Sequence, residues 1–182
     1  ISADWLYVSS MAGSYDVLDK LFSQARRKGI KIMFNPGKGE LKHPQKLRSL
    51  LDDVDVLSVN REEMQRIVEG ETPEELAIHA LNYVPVAIVS DGPNGVVATD
   101  GKTIVKAGMY RDVKVIDRTG AGDAFGSGFL SQWVQERPLA ECIVFGSANS
   151  TSVVQYIGAK TGILHKGVKL HHMPLHEQPL KP

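Results

Sequence analysis

Short apolar runs that alternate with stretches of helical periodicity constrain this chain more than any other feature. Trp5–Val8, Lys31–Phe34, Val54–Val59 and Val86–Val89 each read as a buried strand. Between the first two, Leu18, Leu21, Phe22 and Ala25 fall at i, i+3, i+4 and i+7 within a predicted helix over Tyr15–Lys28, and Gly29 follows it as the C′ residue. Pro44 opens a short helix to about Leu51, and Arg61–Glu69 is predicted as a helix ending at Gly70. Thr72-Pro73-Glu74-Glu75 starts another, with capping-box spacing and proline in the first turn, where its missing N–H is harmless. Strand–helix alternation of this kind predicts an α/β fold with a mostly parallel central sheet and helices on its faces. Gly92–Gly95 and Asp100-Gly101 are turns around Val96–Thr99 and Thr103–Val105, so an antiparallel hairpin is expected at one side of the sheet. Val113–Ile116 is predicted as a further strand, broken by Asp117–Gly122, with helices over Ala124–Gln135 and from Pro138 to about Gln155. Lys166–Pro182 has weak periodicity and three prolines and is expected to be an extended tail. No linker divides the chain. The expected organisation is one α/β domain over residues 1–165 and a C-terminal extension over 166–182.

Composition narrows the function. Twenty-one basic residues balance 21 acidic ones, so no global field recruits nucleic acid or an anionic membrane. The apolar runs are far shorter than a bilayer span. A single cysteine, Cys142, excludes an internal disulfide and fits a reducing, cytoplasmic setting. It lies beside Ile143, Val144 and Phe145, which reads as core packing rather than a nucleophile. His171, His172 and His176 suggest a metal cluster, yet Pro174 prevents one helix face from presenting them. Trp5 and Trp133 read as core or edge residues, since no basic cluster surrounds them. No secretory leader pattern is expected at the start, and Ile1 in the first position suggests a piece of something longer.

The chemistry concentrates in Val115-Ile116-Asp117-Arg118-Thr119-Gly120-Ala121-Gly122-Asp123-Ala124-Phe125-Gly126-Ser127-Gly128. Small residues at a helix start leave backbone N–H groups open, and the helix dipole adds about half a positive charge there. Such a site suits a phosphoryl group in transfer. A carboxylate at its lip, Asp123, is a poor neighbour for phosphate unless it takes a proton from an attacking hydroxyl. A bare Gly-x-Gly with Asp123 as N-cap also fits a plain tight turn, and from the residues alone both readings stand. Spacing excludes two other loops. No Gly-Lys-Ser/Thr follows as a P-loop requires, and Phe125 stands where a dinucleotide fingerprint needs its third glycine.

Asp117–Gly128, with the apolar run before it and the apolar helix after it, resembles the C-terminal signature of the ribokinase or PfkB-type carbohydrate kinase family. The resemblance implies a ribokinase-like three-layer sandwich, a transferase activity and an ATP site. By the same resemblance Asp123 is the catalytic base, and the N–H groups of Gly120, Ala121, Gly122 and Asp123 form the anion hole. Val59-Asn60-Arg61-Glu62-Glu63 matches the family's Asn-x-x-Glu motif, which implies magnesium near Asn60 and Glu63, acting through water. Alone, that pair reads as an N-cap and its capping-box partner, and the two readings are compatible. Val89–Gly95 resembles the strand-end nucleotide segment, which implies phosphate contacts from Ser90 and Gly92; by itself it is a hairpin turn. Asn149 matches a residue beside the adenine pocket, although taken alone it reads as a helix-surface asparagine. Gly158-Ala159-Lys160 resembles the family's closing loop, and with Asp117 and Thr119 it implies a potassium site in members that use one.

Two departures accompany the match. Arg118 stands where the family has a small hydroxyl or apolar residue, and a solvated position is expected for it. The family's N-terminal portion, with most acceptor contacts and a lid, has no counterpart here, so the fold is expected to be incomplete at its N-terminus. The implied function is ATP-dependent phosphorylation of a hydroxyl on a sugar or nucleoside, with a homo-oligomer admitted. The alternatives are a nucleotide-binding fragment without catalysis and a non-catalytic regulator that kept the fold; an intact Asp123 argues against the regulator.

Overall fold

The computed structural model describes residues 3–108, 110, 113–170 and 172–180. The leading strands are β1 (Trp5–Ser9), β2 (Lys31–Asn35), β3 (Val56–Asn60) and β4 (Val86–Ser90). They pair in that order and all run parallel. The helices between them are α1 (Tyr15–Arg27), α2 (Pro44–Leu51), α3 (Arg61–Met64) and α4 (Pro73–Ala80). Parallel strands laid down stepwise in one direction, with crossovers of one hand, send every crossover helix to the same face. That face is therefore built from Leu18 and Phe22 of α1, Leu47 and Leu51 of α2, and Leu76 and Ala80 of α4. They pack on Ile32, Phe34, Leu57, Val59, Ala87 and Val89.

The alternate residues of the same strands, Met33, Val56, Val86 and Ile88, point to the opposite face. It is covered by α5 (Ala121–Trp133) and α6 (Leu139–Val153), which deliver Phe125, Phe129, Leu139 and Ile143. Cys142 is fully buried there, and burial pushes its thiol up to about 12, which leaves it a packing residue. The antiparallel hairpin is present as β5 (Val96–Thr99) and β6 (Thr103–Ala107) beside β4.

Three expectations change. Residues 113–118 form no strand: Val115 and Ile116 are exposed, and the N–H groups of Ile116 and Asp117 both reach the carbonyl of Val154, just past α6, at 2.8 and 3.2 Å. Apolar alternation alone cannot make a strand where no neighbouring strand supplies a ladder. The helix after Asn60 lasts only to Met64, and the chain continues to Gly70 in turns that bury Ile67 and Val68. The C-terminal stretch is extended, as expected, but not loose: β7 (Leu175–Pro179) pairs antiparallel with β6 and closes that edge of the sheet. Its proline is its last residue, where a missing donor costs least. His171 lies outside the described residues. Among those described, no group of three or more His, Cys, Asp or Glu is placed to hold a metal, and no helix is long and apolar enough to cross a membrane.

The loops leaving β1 and β2 are locked together by Glu40, which the sequence reading passed over. Its side chain is fully buried. One carboxylate oxygen accepts from the N–H groups of Met11 and Gly13 at 2.9 and 2.8 Å. The other accepts from the Ser10 hydroxyl and the Gly37 N–H at 2.8 and 2.9 Å. Only glycine fits at position 39, where a Cβ would lie 2.3 Å from the Ala12 carbonyl carbon. Burial acts to raise the Glu40 carboxyl, but the donors from Gly13, Ser10 and Gly37 outweigh it and hold the group below the usual carboxylate range. Because the folded value lies below the unfolded one, this contribution is complete above about pH 5 and fades as pH falls through the folded value. Glu40→Gln places an NH₂ against two donors whichever way it turns. Urea titration at pH 7 should show a loss of about 2–4 kcal/mol that shrinks as the pH is lowered.

Candidate active site

The polar residues that interest chemistry stand where parallel strands end. Asn35, Asn60 and Ser90 are the last residues of β2, β3 and β4, and Asn60 is the register partner of Ser90. An open α/β sheet places its ligand crevice at this carboxyl edge. Here the crevice is a cleft of about 730 Å³, lined by Asn60, Glu63, Ser90, Gly92, Arg118, Ala121 and Gly122 among others. The tertiary structure thus brings together three sequence segments that lie far apart along the chain.

The start of α5 forms one wall. Gly120 is its N-cap in the left-handed region, with φ 79°, and no side chain caps the helix. A Cβ there would lie 2.6 Å from the Ala159 Cβ and 2.7 Å from its Cα and O, so the 158–159 turn closes over a bare backbone. The Ala121 N–H reaches the Arg118 carbonyl at 3.2 Å and is committed to that turn. Among the described residues no acceptor engages the N–H groups of Gly120, Gly122 or Asp123, so three donors of the expected four remain open. Nothing lies within 4 Å of the place a Gly122 Cβ would take. Asp123 is exposed, one residue beyond the cleft lining, and makes no hydrogen bond among the described residues. It is not turned into the interior.

Asn60 and Glu63 form a full capping box. The Asn60 Oδ1 accepts from the Glu63 N–H at 2.9 Å, and one Glu63 carboxylate oxygen accepts from the Asn60 N–H at 3.0 Å. The second Glu63 oxygen is bound by no donor among the described residues. One anchored and one open oxygen at the cleft wall fit a hydrated magnesium ion, which keeps several waters and needs few protein ligands. Arg118 is exposed, as expected, and also lines the cleft.

Asn149 is not the helix-surface residue that it reads as when taken alone. It is buried rather than cleft-facing: its Nδ2 donates to the Ala124 carbonyl at 2.7 Å and its Oδ1 accepts from the Leu164 N–H at 2.8 Å. With both ends engaged, it ties α6 to the first turn of α5 and to the following loop. Ser147, Ser150 and Thr151 on the same helix line the cleft instead. Asp117, Thr119 and Gly158 do come together, as a clasp. The Asp117 oxygens accept from the N–H groups of Thr119 and Gly158 at 2.9 and 3.0 Å, and these donors, with the Thr119 hydroxyl, hold its carboxyl below the usual range.

Two further residues escaped the sequence reading. Asn35 lines the cleft and donates its side-chain N–H to the Ser58 carbonyl. Tyr7 of β1 buries its hydroxyl beneath α5, and burial first, then the negative charge of Asp123, pushes its phenol above the ordinary range.

Comparison with known proteins shows the family and the fold. The family model described as pfkB family carbohydrate kinase matches residues 2–166. The chain is 31% identical over 114 residues to an ATP-dependent 6-phosphofructokinase of Thermoanaerobacterium thermosaccharolyticum, covering 62% of this chain and 35% of that protein. It is 28% identical over 144 residues to a cytidine kinase of Thermococcus kodakarensis, covering 76% and 51%. The structure of Arabidopsis thaliana ribokinase with ribose and ATP superposes with a TM-score of 0.75 at 22% identity, over 88% of this chain and 53% of that one. The chain therefore spans about half or less of the length of these relatives. The family match runs through every element that builds the cleft, from β1 to the loop that closes over Gly120, and this chain belongs to the pfkB family of carbohydrate kinases.

Proposed function

We propose that this chain is the nucleotide-handling part of an ATP-dependent kinase that phosphorylates a hydroxyl of a sugar or nucleoside. One observation carries the reading: three open N–H groups at the start of α5, with the exposed carboxylate of Asp123 beside them, next to the cleft that Ala121 and Gly122 line. The relatives, an ATP-dependent 6-phosphofructokinase, a cytidine kinase and a ribokinase, favour the same class. In this reading Asp123 accepts the proton of the attacking hydroxyl, while the amides of Gly120, Gly122 and Asp123 receive the negative charge of the phosphoryl group. Ser90 and Gly92, across the cleft, face the remaining phosphates. Glu63, with Asn60 beside it, would hold a magnesium ion through water, and the ion would offset negative charge on the phosphates. Positioning and electrostatics of this kind supply most of the rate in phosphoryl transfer.

The chain's length relative to its relatives favours a second reading for the piece in isolation, namely nucleotide binding without turnover. Calorimetric titration of the chain with ATP separates the parts of the proposal. Binding is expected in Mg²⁺ and should weaken about tenfold on chelation or in Glu63→Ala. Binding that ignores both the metal and Glu63 would remove the magnesium assignment, and no binding at all would remove the nucleotide site. A parallel assay with ribose, fructose phosphate and adenosine shows whether the same piece turns over.

A further inference from the structure

The Tyr7 hydroxyl is buried and has no hydrogen-bond partner among the described residues. Its ring packs against the cluster that contains Phe125 and Phe129, an apolar setting in which an unpaired O–H lowers stability. The oxygen lies directly under α5: a Cβ on Gly126 would come within 2.4 Å of it. Asp123 precedes Gly126 by three positions, so the two share a helix face with Cβ positions roughly 5–6 Å apart. The Asp123 carboxylate is exposed, makes no hydrogen bond among the described residues, and is the charged group that bears on the phenol. An unsatisfied donor on β1 thus lies beneath the turn of α5 that carries an unsatisfied acceptor.

We propose that the Tyr7 O–H donates to the Asp123 carboxylate and holds it facing the acceptor hydroxyl, which makes Tyr7 a positioning residue of the base. This deepens the reading of Asp123 as base and rests on it. The phenol keeps its proton; one carboxylate oxygen takes the Tyr7 hydrogen bond, and the other is left to receive the proton of the alcohol. Glycine at position 126 is then required because a methyl group would occupy the place of the phenol oxygen.

The bond is read directly by nuclear magnetic resonance of this chain with ¹³C at tyrosine Cζ, the Tyr7 signal being the one lost in Tyr7→Phe. Asp123→Ala is expected to move that signal upfield, the change that accompanies loss of a carboxylate acceptor. An unmoved signal overturns the proposal, and this readout needs no catalytic activity. In the full-length protein, Tyr7→Phe should lower kcat about tenfold with KM for ATP unchanged and thermal stability undiminished. An unaltered kcat alongside a gain in stability would show a merely buried phenol and overturn the positioning role. Retained turnover in Asp123→Asn would instead strike the base assignment, so the two failures are distinguishable.

Discussion

Asp123→Asn is expected to lower turnover of the full-length protein by at least about a hundredfold while ATP affinity stays within about twofold. The amide is nearly the same size, so the helix start and the open N–H groups of Gly120, Gly122 and residue 123 itself survive the change. What disappears is the capacity to take a proton from the attacking alcohol, and a positioned base is typically worth about 10²–10⁴ in rate. Asp123 is exposed, and the near-isosteric amide can still accept a hydrogen bond, so the fold is expected to survive the change. The measurement is a steady-state assay of phosphoryl transfer beside calorimetric ATP binding. Activity within tenfold of the parent protein would mean that another group deprotonates the acceptor.

The second large effect separates fold from function at neighbouring glycines. Gly120→Ala meets two obstacles. The residue has φ 79°, a conformation that costs a side-chain-bearing residue about 1–2 kcal/mol, and the new methyl would lie 2.6–2.7 Å from Ala159, including its backbone. Backbone cannot rotate aside, so either the 158–159 turn or the helix start must move. Chemical denaturation should show a loss of about 2–4 kcal/mol, with ATP affinity falling at least about tenfold as the amides lose their common direction. Gly122→Ala should behave oppositely. Among the described residues nothing lies within 4 Å of its added Cβ, and alanine is favoured over glycine in a helix by up to about 1 kcal/mol, so stability should hold or rise. Its methyl would nevertheless stand in the cleft beside the open amides, and ATP binding should weaken. Equal stability losses in both variants would show that the two glycines serve only the turn.

Much of this arrangement was legible in residues close together along the chain. The strands at Trp5, Lys31, Val56 and Val86 announced themselves through short apolar runs, and α1 through its i, i+3, i+4, i+7 spacing. The Asn60 and Thr72 caps were readable because a capping box involves only residues three apart, and both are formed. The alignment of Gly120–Asp123 at a helix start was equally local. Errors came where a neighbour was needed. Residues 113–118 carry apolar side chains at alternate and adjacent positions, but among the described residues no strand pairs with them, and the amides of Ile116 and Asp117 turn to Val154 instead. Asn149 reads as a polar residue on a helix and is in truth an internal tie, because Ala124 and Leu164 approach it from other parts of the chain.

Backbone sterics, side-chain periodicity and capping act over a few residues, and so the sequence by itself determined the four parallel strands, most of the helices and the glycine-rich helix start. Everything that depends on partners brought from a distance was decided by tertiary packing. Glu40 looks like a solvated charge until Ser10, Met11 and Gly13, some 27–30 residues earlier, converge on it. Asp117 finds the Gly158 amide 41 residues away, and Tyr7 becomes interesting only because α5 is laid across it. A carboxylate or a phenol has the same chemistry wherever it occurs along a chain; the donors, charges and excluded water around it exist only once the sheet has set its two faces and the helices have closed on them.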